Sequence, residues 1–61
     1  MGLAFSELRT GRLFHFNGCD YIKQSTRTAR MLDTGRIFYI SKGDRVFPIA
    51  WLIYAYKVVY S

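Results

Sequence analysis

The triplet Asp33-Thr34-Gly35 has the residue types of an acid–base site in which two aspartates share one proton. That chemistry needs two copies of the aspartate. The phrase around the triplet does occur twice, since LRTGRLFHF, Leu8 to Phe16, returns as LDTGRIFYI, Leu32 to Ile40, but Arg9 stands in the first copy where Asp33 stands in the second. The shared Thr-Gly pair is therefore explained by a turn rather than by catalysis. His15 is the only histidine and the one residue suited to be a general base, and no serine or cysteine is placed by local spacing to act as its nucleophile. Cys19, the only cysteine, is expected near His15 merely as a neighbour across the tight turn Asn17-Gly18. A single Cys and a single His exclude an intrachain disulfide and a Cys/His zinc site. Neither Gly11 nor Gly35 belongs to a phosphate-binding glycine loop. The expectation is a protein with no catalytic residues, no metal and no cofactor.

What remains is the chemistry of binding. Nine Lys and Arg against four Asp and Glu give a formal charge of +5, which suits an anionic partner. Lys23, Arg27, Arg30, Arg36 and Arg45 lie in sequence beside Phe14, Phe16, Tyr21, Phe38 and Tyr39. Small β-barrels that bind single strands use such residues, stacking bases on aromatics and holding phosphates with Arg and Lys. A solvated basic surface accounts for the same composition, because so small a domain needs most of its aromatics for its own core. Arg, Tyr and Trp dominate the energetics of protein interfaces, so Arg27, Arg30, Tyr39, Trp51 and Tyr54 are the candidate residues for binding a protein.

The elements that must position these residues can be read from period and turn chemistry. The chain has 61 residues, of which 51% are hydrophobic and 18% aromatic, enough for one small packed domain spanning 1–61. Leu3 to Thr10 reads as a lead-in with one helical turn through Ser6, Glu7 and Leu8, ended by a left-handed Gly11. From Arg12 the period is two, with Arg12, Phe14 and Phe16 on one side and Leu13 and His15 on the other. Asn17-Gly18 predicts a type I′ hairpin, which leads into a strand over Cys19–Gln24. Further strands are expected over Thr28–Leu32, Arg36–Ile40 and Arg45–Pro48, with Pro48 confining the last to a sheet edge or to its own end. The two copies of the repeated phrase thus predict two similar hairpins, each a glycine turn feeding an aromatic strand. The run IAWLIYAYKVVY, Ile49 to Tyr60, has no clean face in either period. Buried strand and buried helix both stay open for it, and its Tyr, Val, Ile and Trp favour strand. It is shorter than the roughly twenty apolar residues of a membrane helix, so a membrane is the less expected partner, reached only through an interfacial anchor of Trp51, Tyr54, Tyr56 and Tyr60. Its expected role is core, oligomer contact or attachment. The fold class is all-β, a single five- or six-stranded sheet curled toward an SH3-like or OB-like barrel, with Phe14, Phe16, Ile22, Ala29, Phe38, Ile40 and Val46 as its core.

Phe5, Leu8, Gly11, Phe14, Gly18, Tyr21, Lys23, Thr28, Ala29, Gly35, Phe38, Val46, Pro48 and Ile49 follow an outline F-x-x-L-x-x-G-x-x-F, Gly turn, Y-x-K, Thr/Ala strand, Gly turn with aromatic strand, and V-x-P-[IV]. In this the chain from Phe5 to Ile49 resembles a group of very small proteins of tailed bacteriophages, and from Ala50 it departs from that outline. The resemblance implies a phage origin and an all-β fold, not a reaction. The expected function is that of a non-enzymatic phage accessory protein in the host bacterial cytoplasm that engages a host protein or protein complex and modulates it. Nucleic acid is the alternative partner, a virion- or membrane-associated structural role is the third class, and a second copy of the chain is a further candidate partner.

Overall fold

In the computed structural model, which describes residues 2–49, the chain is all-β. Six strands run in the order β1 (Leu3–Ala4), β2 (Leu13–Phe16), β3 (Cys19–Lys23), β4 (Thr28–Met31), β5 (Ile37–Tyr39) and β6 (Arg45–Pro48) along the chain, with a 3-10 turn at Phe5–Glu7. They form one antiparallel sheet in the spatial order β1-β6-β2-β3-β4-β5. The sheet does not close, so the barrel expected as one form of the fold is not reached among the described residues and the curled sheet is what stands. Ile40, just past β5, and Val46, in β6, nevertheless belong to one buried cluster with Phe5, Leu8, Phe14, Tyr21 and Ala29. The β5–β6 loop is tied to the 3-10 turn, because Ser6 N donates to Lys42 O at 3.0 Å and Phe5 N to Asp44 O at 2.8 Å. No helix among the described residues is long and apolar enough to cross a membrane.

The β2–β3 hairpin forms for the reason its turn predicts. Asn17 and Gly18 have φ of 52° and 84°, the two left-handed residues of a type I′ turn, whose twist matches that of the flanking strands. A Cβ built on Gly18 meets nothing within 4 Å, so a side chain there is opposed by backbone conformation alone. Gly18→Ala is therefore expected to lower stability by about 1–2 kcal/mol, the cost of a left-handed non-glycine residue. Chemical denaturation would measure it, and an unchanged midpoint would mean that the turn relaxes to another type.

Two elements differ from the sequence expectation. Leu3–Ala4 is a strand, paired with Val46 and Arg45, and the helical turn is shifted to Phe5–Glu7. Leu8 already has extended φ and ψ of −85° and 137°, so the turn ends there and not at Gly11. Gly11, at φ 91°, instead swings its N–H onto Lys23 O at 2.8 Å and opens the β2–β3 ladder. Pro48 lies at the end of β6, as its missing N–H requires, although β6 itself is flanked on both sides, by β1 and β2.

Register divides the side chains between two faces. Phe14, Tyr21 and Met31 stand side by side across β2, β3 and β4, and Lys23, Ala29 and Phe38 do so across β3, β4 and β5, all on the inner face. Leu13, Ile22, Arg30 and Ile37 make the corresponding row on the outer face. Of the expected core, Phe14, Ala29, Ile40 and Val46 are buried and Phe16 packs against them half-buried, whereas Ile22 lies on the outer face and Phe38 is exposed. Phe5, Leu8 and Tyr21 complete the cluster. The inner aromatics form a chain: Phe5 meets Phe14 edge-on at 5.5 Å, Phe14 stacks on Tyr21 at 5.4 Å, and Phe38 meets Tyr21 edge-on at 5.9 Å.

Burial pushes the Tyr21 phenol above its ordinary value of 10.0, with the neighbouring Cys19 adding to the effect through its charge. The folded state thus holds this proton more tightly than the unfolded chain does. The associated stability is whole below pH 10 and drains away as pH rises through the folded value. Tyr21→Phe is expected to shrink the fall in Tm between pH 7 and strongly alkaline solution; an undiminished fall would assign the alkaline sensitivity to other groups.

Candidate functional site

His15 Nδ1 and Asp20 Oδ1 are 2.8 Å apart, a cross-strand pair on the outer face. Cys19 pairs with Phe16, one position along, and so faces the other side of the sheet. The hairpin neighbours His15 and Cys19 therefore do not form a nucleophile–base pair. Asp33 lies in an exposed turn, where Gly35, at φ 75°, donates its N–H to Met31 O at 2.8 Å and Arg36 N donates to Thr34 Oγ1 at 3.2 Å. Both copies of the Thr-Gly pair are thus turn devices. Among the described residues no three His, Cys, Asp or Glu side chains come together as a metal site would require.

The five cations expected to hold phosphates do not share a surface. Lys23 is only 4% exposed. Its Nζ donates to Phe5 O and to Leu8 O, both at 2.7 Å, and sits 4.3 Å from the centre of the Phe5 ring. Lys23 is thus withdrawn from any surface role: β3 turns it inward, where its ammonium caps the carbonyls of the 3-10 turn. Arg45 stands at the opposite side of the sheet, in β6, with Nη1 donating to Gly2 O at 3.4 Å. Arg27, Arg30 and Arg36 lie around β4 and β5 and all are exposed, Arg30 on the outer face opposite Ile37, Arg36 and Arg27 at the alternate positions opposite Met31 and Ile40.

Tyr39 joins them there. It is 87% exposed and Ile37 is 57% exposed, and all three residues of β5 face solvent at least in part. Arg27, Tyr39, Ile40 and Ser41 line a shallow groove of about 380 Å³, and Thr28, Ile37, Phe38 and Tyr39 line another of about 260 Å³. Of the residues expected to bind a protein, Arg27, Arg30 and Tyr39 are thus brought to one edge, while Trp51 and Tyr54 lie outside the described residues. So does the rest of the run from Ala50, with its expected strand.

The backbone of this edge matters as much as its side chains. Among the described residues no strand lies beyond β5. Arg36 O accepts from Met31 N and Ile40 N donates to Arg27 O, both at 2.8 Å, so alternation turns the N–H and C=O of Phe38 toward β4. The same alternation turns those of Ile37 and Tyr39 away from the sheet. Ile37 is a residue of this edge that the sequence reading does not single out, and Phe38 enters that reading only as a base-stacking aromatic and a core residue. In sequence they are indistinguishable from Leu13 and Phe14, their aligned partners in the repeat, and only the pairing order shows that one pair is central and the other at an edge.

A scan of protein-family models, a search of curated proteins and a search of solved structures each return no match to this chain.

Proposed function

We propose that the chain is a non-catalytic binding protein that engages another protein through β5, by adding an extended segment of that partner to its sheet. The observation that carries this reading is the edge of β5, open among the described residues, with the N–H and C=O groups of Ile37 and Tyr39 directed outward beside exposed Ile37 and Tyr39 side chains. An unpaired strand edge is a template for another strand, and apolar side chains along it add affinity. Taken with the tailed-bacteriophage outline, the partner is a protein of the bacterial host, bound in the host cytoplasm and altered in its activity. A second reading rests on Tyr39 and Arg27 sharing one groove, a pairing that also suits a stacked base and its phosphate.

Tyr39→Pro is the informative variant. It removes an outward N–H that the β4–β5 ladder does not use, and proline is tolerated on edge strands in that orientation. Capture from a bacterial lysate with the original chain and with Tyr39→Pro, quantified by mass spectrometry with and without nuclease, tests both readings. The expected result is a host protein recovered at least about tenfold less with the variant, a change of about 1.4 kcal/mol, and unaffected by nuclease. Equal recovery by both chains would sink strand addition, and recovery abolished by nuclease would favour the second reading.

A further inference from the structure

We infer that the segment received by β5 is acidic, with one carboxylate set against Arg30 on the outer face and others against Arg36 and Arg27 on the opposite face. This rests on the strand-addition reading above and deepens it. Arg30 stands directly opposite Ile37 on the outer face, Arg36 immediately precedes β5, Arg27 lines the groove beside Tyr39, and Lys42 follows in the next loop. Asp33 is the only carboxylate in the turn that leads into this edge. Asp44 shares the loop after β5 with Lys42, and elsewhere Asp20 is paired with His15 and Glu7 Oε1 accepts the N–H of Ala4 at 3.0 Å. The only ion pair among the described residues is that of His15 with Asp20, so Arg27, Arg30 and Arg36 have no carboxylate within 4.0 Å there. Residues 50–61 contain neither Asp nor Glu, so that segment brings no acidic side chain to them.

Geometry sets which acids would reach. A strand added at β5 lies two strand spacings from β4, about 9.6 Å, a gap that an extended Arg30 and an extended Glu span together across the Ile37 side chain. Residues two apart along a strand rise about 6.8 Å, the separation of the outward groups of Ile37 and Tyr39, so every second residue of the segment presents the same face. The edge offers donors and acceptors in alternation. A polypeptide satisfies both, whereas phosphate, which only accepts, would meet the outward carbonyls of Ile37 and Tyr39 with repulsion. β5 itself is uncharged, but a second copy of this chain would bring its own Arg30 and Arg36 to the same seam and concentrate positive charge there. An acidic polypeptide satisfies the backbone and the charge together.

The test is selection of random ten-residue peptides displayed on messenger RNA against the folded full chain, followed by titration of the enriched peptides, of oligo(dT) and of the protein itself. The expected result is at least about threefold enrichment of Asp and Glu, binding weakened at least tenfold by Tyr39→Pro, and binding weakened at least tenfold by Arg30→Glu with Arg36→Glu. The charge-reversed chain should in turn select basic peptides, and circular dichroism should show both variants folded. Neutral or basic peptides that bind the original chain and still lose affinity with Tyr39→Pro would overturn the acidic specificity while leaving strand addition intact. Peptides indifferent to Tyr39→Pro, or no enrichment at all, would overturn strand addition itself. Oligo(dT) binding lost on Arg30→Glu at equal strength would reassign the edge to nucleic acid, and a dimer broken by Tyr39→Pro would reassign it to a second copy.

Discussion

Lys23→Met is expected to destabilise the protein by about 2–4 kcal/mol, lowering Tm by roughly 10–25 °C for a domain of this size. Methionine keeps the length of the stem, so the loss isolates the ammonium. Two effects oppose each other. Burying a charge costs several kcal/mol, and exchanging a buried charge for an apolar side chain can be neutral or favourable when nothing is left unpaired. Here something is left unpaired. Phe5 O keeps a second partner in Leu8 N at 3.1 Å, but Leu8 O has only the lysine among the described residues. An orphaned buried carbonyl costs about 1–3 kcal/mol, charge-assisted bonds are worth about 1.5–3 kcal/mol each, and the ammonium over the Phe5 ring adds about 0.5–2 kcal/mol. Together these outweigh the relief of desolvation. A domain of this length has about 3–9 kcal/mol in all, so the variant should be partly unfolded near physiological temperature. Thermal denaturation followed by circular dichroism decides it. A variant as stable as the original chain would mean that the buried charge costs as much as its bonds return.

Phe14→Ala should cost about 3–5 kcal/mol, whereas Phe38→Ala should cost about 1 kcal/mol. The two phenylalanines occupy the same position in the repeated phrase and both belong to the inner face. Phe14 is fully buried, with Phe5 edge-on and Tyr21 stacked against it, and its loss removes both aromatic contacts and leaves a cavity. Phe38 is 37% exposed at the sheet edge and keeps a single edge-on contact with Tyr21. Because Phe14→Ala can abolish folding outright, Phe14→Leu supplies a measurable member of the pair, expected about 1–2 kcal/mol below the original chain. Urea denaturation of Phe14→Leu and Phe38→Ala should therefore rank the buried position as costlier or equal even for the milder change. Greater loss at Phe38 would place β5 inside the core and remove the open edge on which strand addition depends.

Much of the sheet is legible one residue at a time. Asn17-Gly18 forms the hairpin its type predicts because a type I′ turn needs positive φ at both central residues and Asn and Gly tolerate it, and the five strands read from period and turns all form. The lead-in is less legible, because Leu3–Ala4 becomes a strand only through Val46 and Arg45, far along the chain. The candidate site was half legible. Arg27, Arg30 and Tyr39 carry the residue types of an interface and do meet at one edge. Lys23 carries the same charge and does the opposite work, because its place in β3 turns it under the 3-10 turn. Charge in a sequence does not reveal which face of a strand holds it.

By itself the sequence determined where the chain turns and which side chains alternate, since left-handed glycines and a period of two are properties of neighbours. Only the tertiary structure decided that LRTGRLFHF becomes a central strand and LDTGRIFYI an edge. The reason is that the number of partners a strand has is set by distant segments. β6 comes back to flank β2, among the described residues nothing flanks β5, and the same aromatic phrase is buried core in one place and solvent-exposed edge in the other.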